Sequence, residues 1–126
     1  MTDPRRRIGA HAEQLVATRL RSAGWEILAR NARTRHGELD IVARDARALV
    51  FVEVKAGRAG NDFGPERPVH SVGPQKQRRI RRLAAAWIAD HRGALPFYAE
   101  IRFDAVGVSF DRAGRVLEVE HIEAAF

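Results

Sequence analysis

The segment HGELDIVARDARALVFVEVKAG, residues 36 to 57, sets Asp40, Glu53 and Lys55 among valines. Strand side chains alternate between faces, so Glu38 and Asp40 share one face of their strand, and Phe51, Glu53 and Lys55 share one face of the next. A short turn about Asp45 to Arg47 predicts an antiparallel hairpin in which Asp40 lies across from Glu53, at the end distant from the turn. Two carboxylates that close repel each other, and burial adds to the cost, so without a cation at least one has a raised pKa. A divalent cation removes the conflict: magnesium is commonly held by one or two carboxylates, with waters and phosphate oxygens completing its shell. Beside such an ion, the compact ammonium of Lys55 can orient an attacking water or offset charge building on a phosphate. That chemistry is phosphodiester hydrolysis. Residue by residue, a same-face ion pair between Glu53 and Lys55 and a turn-proximal surface Asp40 account for the same letters. The position of Glu53 argues against that: four apolar residues precede it and another follows, and charges in such a setting are rare unless paired or ligating.

The elements that must position these residues are legible around them. Ile8, Ala12, Leu15, Val16, Leu20 and Ala23 recur at helical spacing and Gly24 follows, which predicts a helix over 8 to 23. WEILARN reads as a short strand and ARTRHG as a basic turn carrying Arg33 and Arg35. ELDIVAR and ALVFVEVK are the hairpin strands, and the second is apolar on both faces, as a central strand covered on both sides is. Residues 56 to 73 hold four glycines and two prolines without an apolar period. They predict a long loop that leads straight off Lys55 and either closes over substrate or merely connects. Pro74 opens a second helix with Ile80, Leu83, Ala84, Trp87, Ile88 and His91 on one face, and Gly93 ends it. YAEIRFDAVGVSF and VLEVEHI, joined by DRAGR, read as two last strands. The order αβββαββ predicts a single α/β domain over residues 1–126, with a central mixed sheet of about five strands flanked by helices. Residues 1 to 7 are expected to be a flexible basic amino terminus.

Composition narrows the class. With 45% hydrophobic and 30% charged residues the chain is too apolar for a disordered segment. It lacks cysteine, so thiolate catalysis, disulfides and cysteine-zinc sites are excluded. It has no apolar run near the roughly 20 residues that cross a bilayer and no apolar signal core, and a cytoplasmic protein is expected. The net charge is +6, from 20 arginines and two lysines against 16 acids, which makes nucleic acid the expected partner. A GC-rich genome accounts for arginine over lysine but not for basic over acidic, and it makes Lys55 and Lys76 the more informative. KQRRIRR, residues 76 to 82, opens the second helix, where a helix amino terminus favours phosphate. Lys76, Arg78, Arg79 and Arg82, with Arg81 between them, are candidate phosphate contacts; a merely solvated face is the plainer account. Nothing there encodes base reading, so binding is expected to depend on structure rather than sequence. The five histidines lack metal-ligand spacing and read as structural, Trp25 and Trp87 as core, and Arg102 with Asp104 as a structural pair or as neighbours of the site.

GELDIV followed by FVEVK, with twelve residues between Asp40 and Glu53, resembles the Asp…Glu-x-Lys pattern of the restriction-endonuclease-like superfamily, the PD-(D/E)xK nucleases. More narrowly, GAHAE, AGWEILARN, GELDIV, FVEVK, VGPQKQRRI, RFDAV and IEAAF, in that order, resemble the bacterial YraN family, regarded as distant relatives of archaeal Holliday-junction resolvases. The resemblance implies a three-layer nuclease core. It implies a magnesium or manganese ion on Asp40, Glu53, the Val54 carbonyl and Glu13, with Lys55 as the catalytic lysine. An ordinary boundary glutamate accounts for Glu13 equally well, and Glu38 is placed one pair further out. The superfamily's proline before the aspartate is Leu39 here. The function so implied is metal-dependent cleavage of branched or structured DNA, for which a homodimer is natural because a junction presents two symmetric strands. A nucleic-acid-binding module that keeps the fold without turnover, or an adaptor in DNA uptake or repair, fits the same residues.

Overall fold

The computed structural model describes residues 4–58 and 72–126. A helix, α1 (Pro4–Ser22), precedes three strands, β1 (Glu26–Thr34), β2 (Gly37–Arg44) and β3 (Ala48–Arg58); then follow α2 (Pro74–Asp90), β4 (Glu100–Phe110) and β5 (Val116–Ile122). The expected order is the observed one. The strands form one sheet in the order β1-β2-β3-β4-β5. Pairing is antiparallel except between β3 and β4, which run parallel in register from Ala48↔Glu100 to Arg58↔Phe110. A parallel pair needs a crossover connection, and α2 lies within it.

The central position of β3 explains its composition. Residues 48 to 52 are all within 2% of full burial, because each face of the sheet carries a helix. Ala12, Val16, Ala17 and Leu20 of α1 pack on Ile41, Ala43, Val50, Val52, Val106 and Val108. Ile80, Leu83, Ala84 and Trp87 of α2 pack on Val42, Leu49, Phe51 and Phe103 from the other side. The result is a helix, sheet, helix stack of the kind expected. The hairpin turn is built by Asp45, whose Oδ1 accepts the amides of Arg47 at 2.9 Å and Ala48 at 2.7 Å, so a short polar side chain substitutes for backbone partners.

Some boundaries differ from the sequence expectation. Helix α1 reaches back to Pro4 and so takes in residues 4 to 7 of the expected basic amino terminus, while residues 1 to 3 lie outside the described residues; without apolar letters there, periodicity cannot mark the first turn. Strand β1 continues to Thr34, which places Arg33 on the strand and leaves the turn to Arg35 and His36. Strand β3 continues through Arg58, because its parallel pairing with β4 carries Ala56, Gly57 and Arg58 along. The rest of the expected loop, 59 to 71, lies outside the described residues. Among the described residues no helix is long and apolar enough to cross a membrane.

Candidate functional site

The hairpin register Ile41↔Val52, continued one step, sets Asp40 opposite Glu53, as the turn length predicts. The pairing between β2 and β3 stops at Ile41↔Val52, and the Val54 amide, two residues further on, donates instead to Asp40 Oδ2 at 2.9 Å. Alternation also breaks here: Leu39 and Val42 both pack in the α2 layer while Ile41 and Ala43 face α1. Asp40 therefore sits where the strands part, within reach of both helical layers, which strict period-two reasoning does not foresee.

From α1, the Glu13 side chain hydrogen-bonds with Asp40, and from β3, Glu53 does the same. Burial, then the neighbouring Glu53 charge, pushes the Asp40 carboxyl up to about 8, against the Val54 amide that favours its ionised form. Burial likewise raises Glu13, with the Asp40 hydrogen bond and Arg30 pulling the other way. Turned so that its amide nitrogen faces the acids, Asn31 donates to Glu13 Oε2 at 3.0 Å and to Glu38 Oε1 at 3.1 Å. Glu38 is thereby tied to the rim of the group through Asn31, and Arg33 lies 3.9 Å from its other oxygen.

Two lysines face the acids. Lys55 Nζ is 4.0 Å from Glu53 Oε1, but Lys76, from the first turn of α2, is closer, at 2.9 Å. Burial lowers Lys55, and the neighbouring Lys76 ammonium lowers it further. Lys76 is held above its usual value: burial opposes this, and its contact with the Glu53 carboxylate outweighs it. Lys76, expected on the phosphate-contacting surface, thus has its ammonium on the buried Glu53, which is only 9% exposed.

The oxygen donors suit a hard divalent cation, and the Asp40 carboxyl is raised first by burial and then by the neighbouring Glu53 charge. Among the described residues no three His, Asp or Glu side chains are arranged to hold a metal ion. The arrangement fits an ion on two carboxylates, Asp40 and Glu53, completed by water and phosphate oxygens. Glu13 approaches through Asp40, and Val54 contributes its amide to Asp40 while pairing with Val106 of β4.

Around this group lies a basic rim. A Cβ on Gly37 would fall 2.9 Å from Arg79 Nη2, so the Arg79 guanidinium lies over the β1–β2 turn, in which Arg35 is exposed. Arg78 and Arg82 are both exposed on α2. Arg81 instead stacks over Phe103, 4.6 Å from the ring centroid, and reaches Phe126 at 5.9 Å, so it anchors the carboxyl-terminal segment. Helix α2 opens with cations and no acid in its first turn, against the field of its own dipole.

Arg102 and Asp104 belong elsewhere. Asp104, fully buried, accepts from Arg102 Nε at 2.8 Å and Nη2 at 3.0 Å and from the Ala124 amide at 3.0 Å, and meets His121 Nε2 at 2.8 Å. Arg102 continues to Asp45 at 2.8 Å and stacks over Trp25. This network ties β4 to the hairpin turn, to β5 and to the chain end. His91 stacks on Trp87 and His11 packs near Phe110, structural roles as expected. Asn31, whose φ of 50° lies in the left-handed region that asparagine tolerates, escapes the sequence reading; an asparagine inside a strand pattern was its only signal.

Comparison with known proteins adds a family. The model of an uncharacterised protein family, UPF0102, matches residues 12–108. A UPF0102 protein of Nocardia farcinica is 47% identical over 119 residues, covering 94% of this chain and 88% of its own. One from Mycolicibacterium vanbaalenii is 46% identical over 122 residues, covering 97% and 95%. One from Anaeromyxobacter dehalogenans is 45% identical over 125 residues, covering 98% and 87%.

Proposed function

The chain belongs to the UPF0102 family, and from its site we propose that it binds nucleic acid and hydrolyses phosphodiester bonds in structured or branched DNA, with a divalent cation, magnesium or manganese. The observation that carries this reading is the convergence of Asp40, Glu53 and Lys55 at the place where β2 leaves β3, with the Asp40 carboxyl pushed up to about 8 by burial and by Glu53. Unsupported acids are expensive to keep in such a place, and a site built for a cation is a reason to keep them. A helix-flanked mixed sheet with its one parallel pair around α2 supports the restriction-endonuclease-like reading of the fold.

A bound divalent cation would supply charge neutralisation at the scissile phosphate. The chain's own residues do the rest. Asp40 is oriented by the Val54 amide, Glu53 by Lys76, and Glu13 stands behind Asp40. Lys55, its ammonium held less firmly than that of an ordinary lysine, sits beside Glu53, where it can orient an attacking water or offset charge on the phosphate. Arg33, Arg35, Arg78, Arg79 and Arg82 contact the backbone and position the strand without reading bases.

The test is cleavage of labelled four-way junction, flap and single-stranded DNA with magnesium or manganese, comparing wild type with Asp40→Ala and Lys55→Ala. Metal-dependent product from wild type alone is expected. Absence of cleavage on every substrate, or equal cleavage by the variants, rejects hydrolysis. The second reading, a nucleic-acid-binding module without turnover, is favoured by one observation: Lys76 already neutralises Glu53. It predicts salt-sensitive binding with no metal-dependent product.

A further inference from the structure

Lys76 comes from a different element than the strand it meets, and it reaches past the surface to do so. Its ammonium lies 2.9 Å from Glu53 Oε1, while Lys55, two residues from Glu53 on the same strand, remains at 4.0 Å from the same oxygen. Glu53 is also one of the two carboxylates on which a divalent ion would rest. An ammonium and a divalent ion on the same carboxylate oxygen repel each other, so each weakens the other's hold on it. Lys76 is also free enough to leave: its side chain is 34% exposed, and its stem is a flexible four-carbon chain.

We propose that Lys76 is a displaceable counter-ion of the cation site: it neutralises Glu53 until a divalent ion takes that oxygen, and its freed ammonium then turns to the substrate backbone. This deepens the hydrolase reading and rests on it. Loading of the ion and engagement of a phosphate become linked, since each favours the same outward position of one side chain, and such linkage is reciprocal. Lys76 is a positioning residue here, acting through Glu53.

The test measures manganese binding itself, by the loss of the free-ion paramagnetic resonance signal on titration with the full chain, without nucleic acid. Lys76→Met is expected to bind manganese about fivefold more tightly than wild type, the scale of one partly exposed ion pair. Arg81→Met removes the same charge from the same helix without touching Glu53, its guanidinium lying over Phe103, and is expected to change affinity less than about twofold. The gain from Lys76→Met should vanish when Glu53→Gln is present in both members of the comparison. Lys76→Gln, which keeps a neutral donor, provides the same comparison should the methionine variant unfold. Manganese binding by wild type that is unchanged or weakened in both Lys76 variants, or a gain that persists with Glu53→Gln, overturns the proposal and leaves the metal-dependent reading standing. Absence of manganese binding by every variant overturns both.

Discussion

The Val54 amide donates to the Asp40 carboxylate at 2.9 Å across two strands whose regular pairing ends just before them. This bond fixes the orientation of an acid that its surroundings would rather keep neutral. Unfolded, Asp40 loses its proton near the ordinary aspartate value of 3.8; folded, it holds it to about 8. Between those values the unfolded chain binds fewer protons than the folded one, so stability must fall as pH rises through the window from about 4 to about 8. The slope is at most about 1.4 kcal/mol per pH unit for one group, and the coupling with Glu53 and Glu13 spreads it. Asp40→Asn keeps an oxygen for the Val54 amide and removes the charge. Urea midpoints taken from about pH 4 to 8 with chelator present should therefore fall for wild type and stay nearly level for the variant. A level wild-type curve would show that the acids are not crowded.

Divalent cation should reverse that decline. An ion that binds only the folded chain stabilises it by mass action, most where the acid pair is ionised. Melting temperatures with manganese should exceed those with chelator at about pH 8 and converge toward about pH 5, where a proton occupies Asp40. Glu53→Gln should abolish the difference at both pH values.

The glycine at the start of β2 is required by its backbone. Gly37 has φ +142°, and a Cβ there would meet Arg79 Nη2 at 2.9 Å and Leu83 Cδ2 at 3.3 Å. Gly37→Ala is expected to cost about 1–3 kcal/mol, read by denaturant unfolding. It should also push Arg79 off the turn and weaken nucleic-acid binding beyond what the lower stability explains.

The Arg102 network is expected to matter for folding alone. Arg102→Met leaves Asp104 buried with His121 and the Ala124 amide as partners and strips Asp45 of its cation. A loss of about 3–5 kcal/mol follows for breaking a buried pair, with nucleic-acid affinity per folded molecule unchanged. A binding defect in a fully folded variant would place this network at the site instead.

Much of this was legible because the sequence is locally consistent. The apolar run Ala48 to Val52 announced the central strand, and the length of the Asp45 turn fixed the Asp40 to Glu53 register. What periodicity did not carry is what depends on a third element. Lys76 reads as one more cation in an arginine-rich stretch, and only the docking of α2 on the sheet turns it inward to Glu53. Arg81 differs from Arg82 by one letter position, yet the packing of Phe126 on Phe103 gives Arg81 a pair of rings to lie over. Asn31 joins Glu13 and Glu38 through a backbone twist that no strand pattern encodes.

That distinction between arginines yields a quantitative check on the basic rim. Each phosphate-binding cation removed should flatten the dependence of log affinity on log salt by roughly 0.9 for duplex DNA. Arg78→Gln, Arg79→Gln and Arg82→Gln combined should thus lower the slope by roughly 2 to 3, measured by fluorescence anisotropy on a labelled duplex. Arg81→Gln removes the same charge from the same helix, but its guanidinium is stacked on Phe103. It should leave the slope nearly unchanged while lowering stability by about 0.5–1 kcal/mol, the worth of an exposed cation–π interaction. If all four substitutions flatten the slope equally, the rim acts as diffuse charge, and the packing of individual arginines has no part in how the chain meets a phosphate backbone.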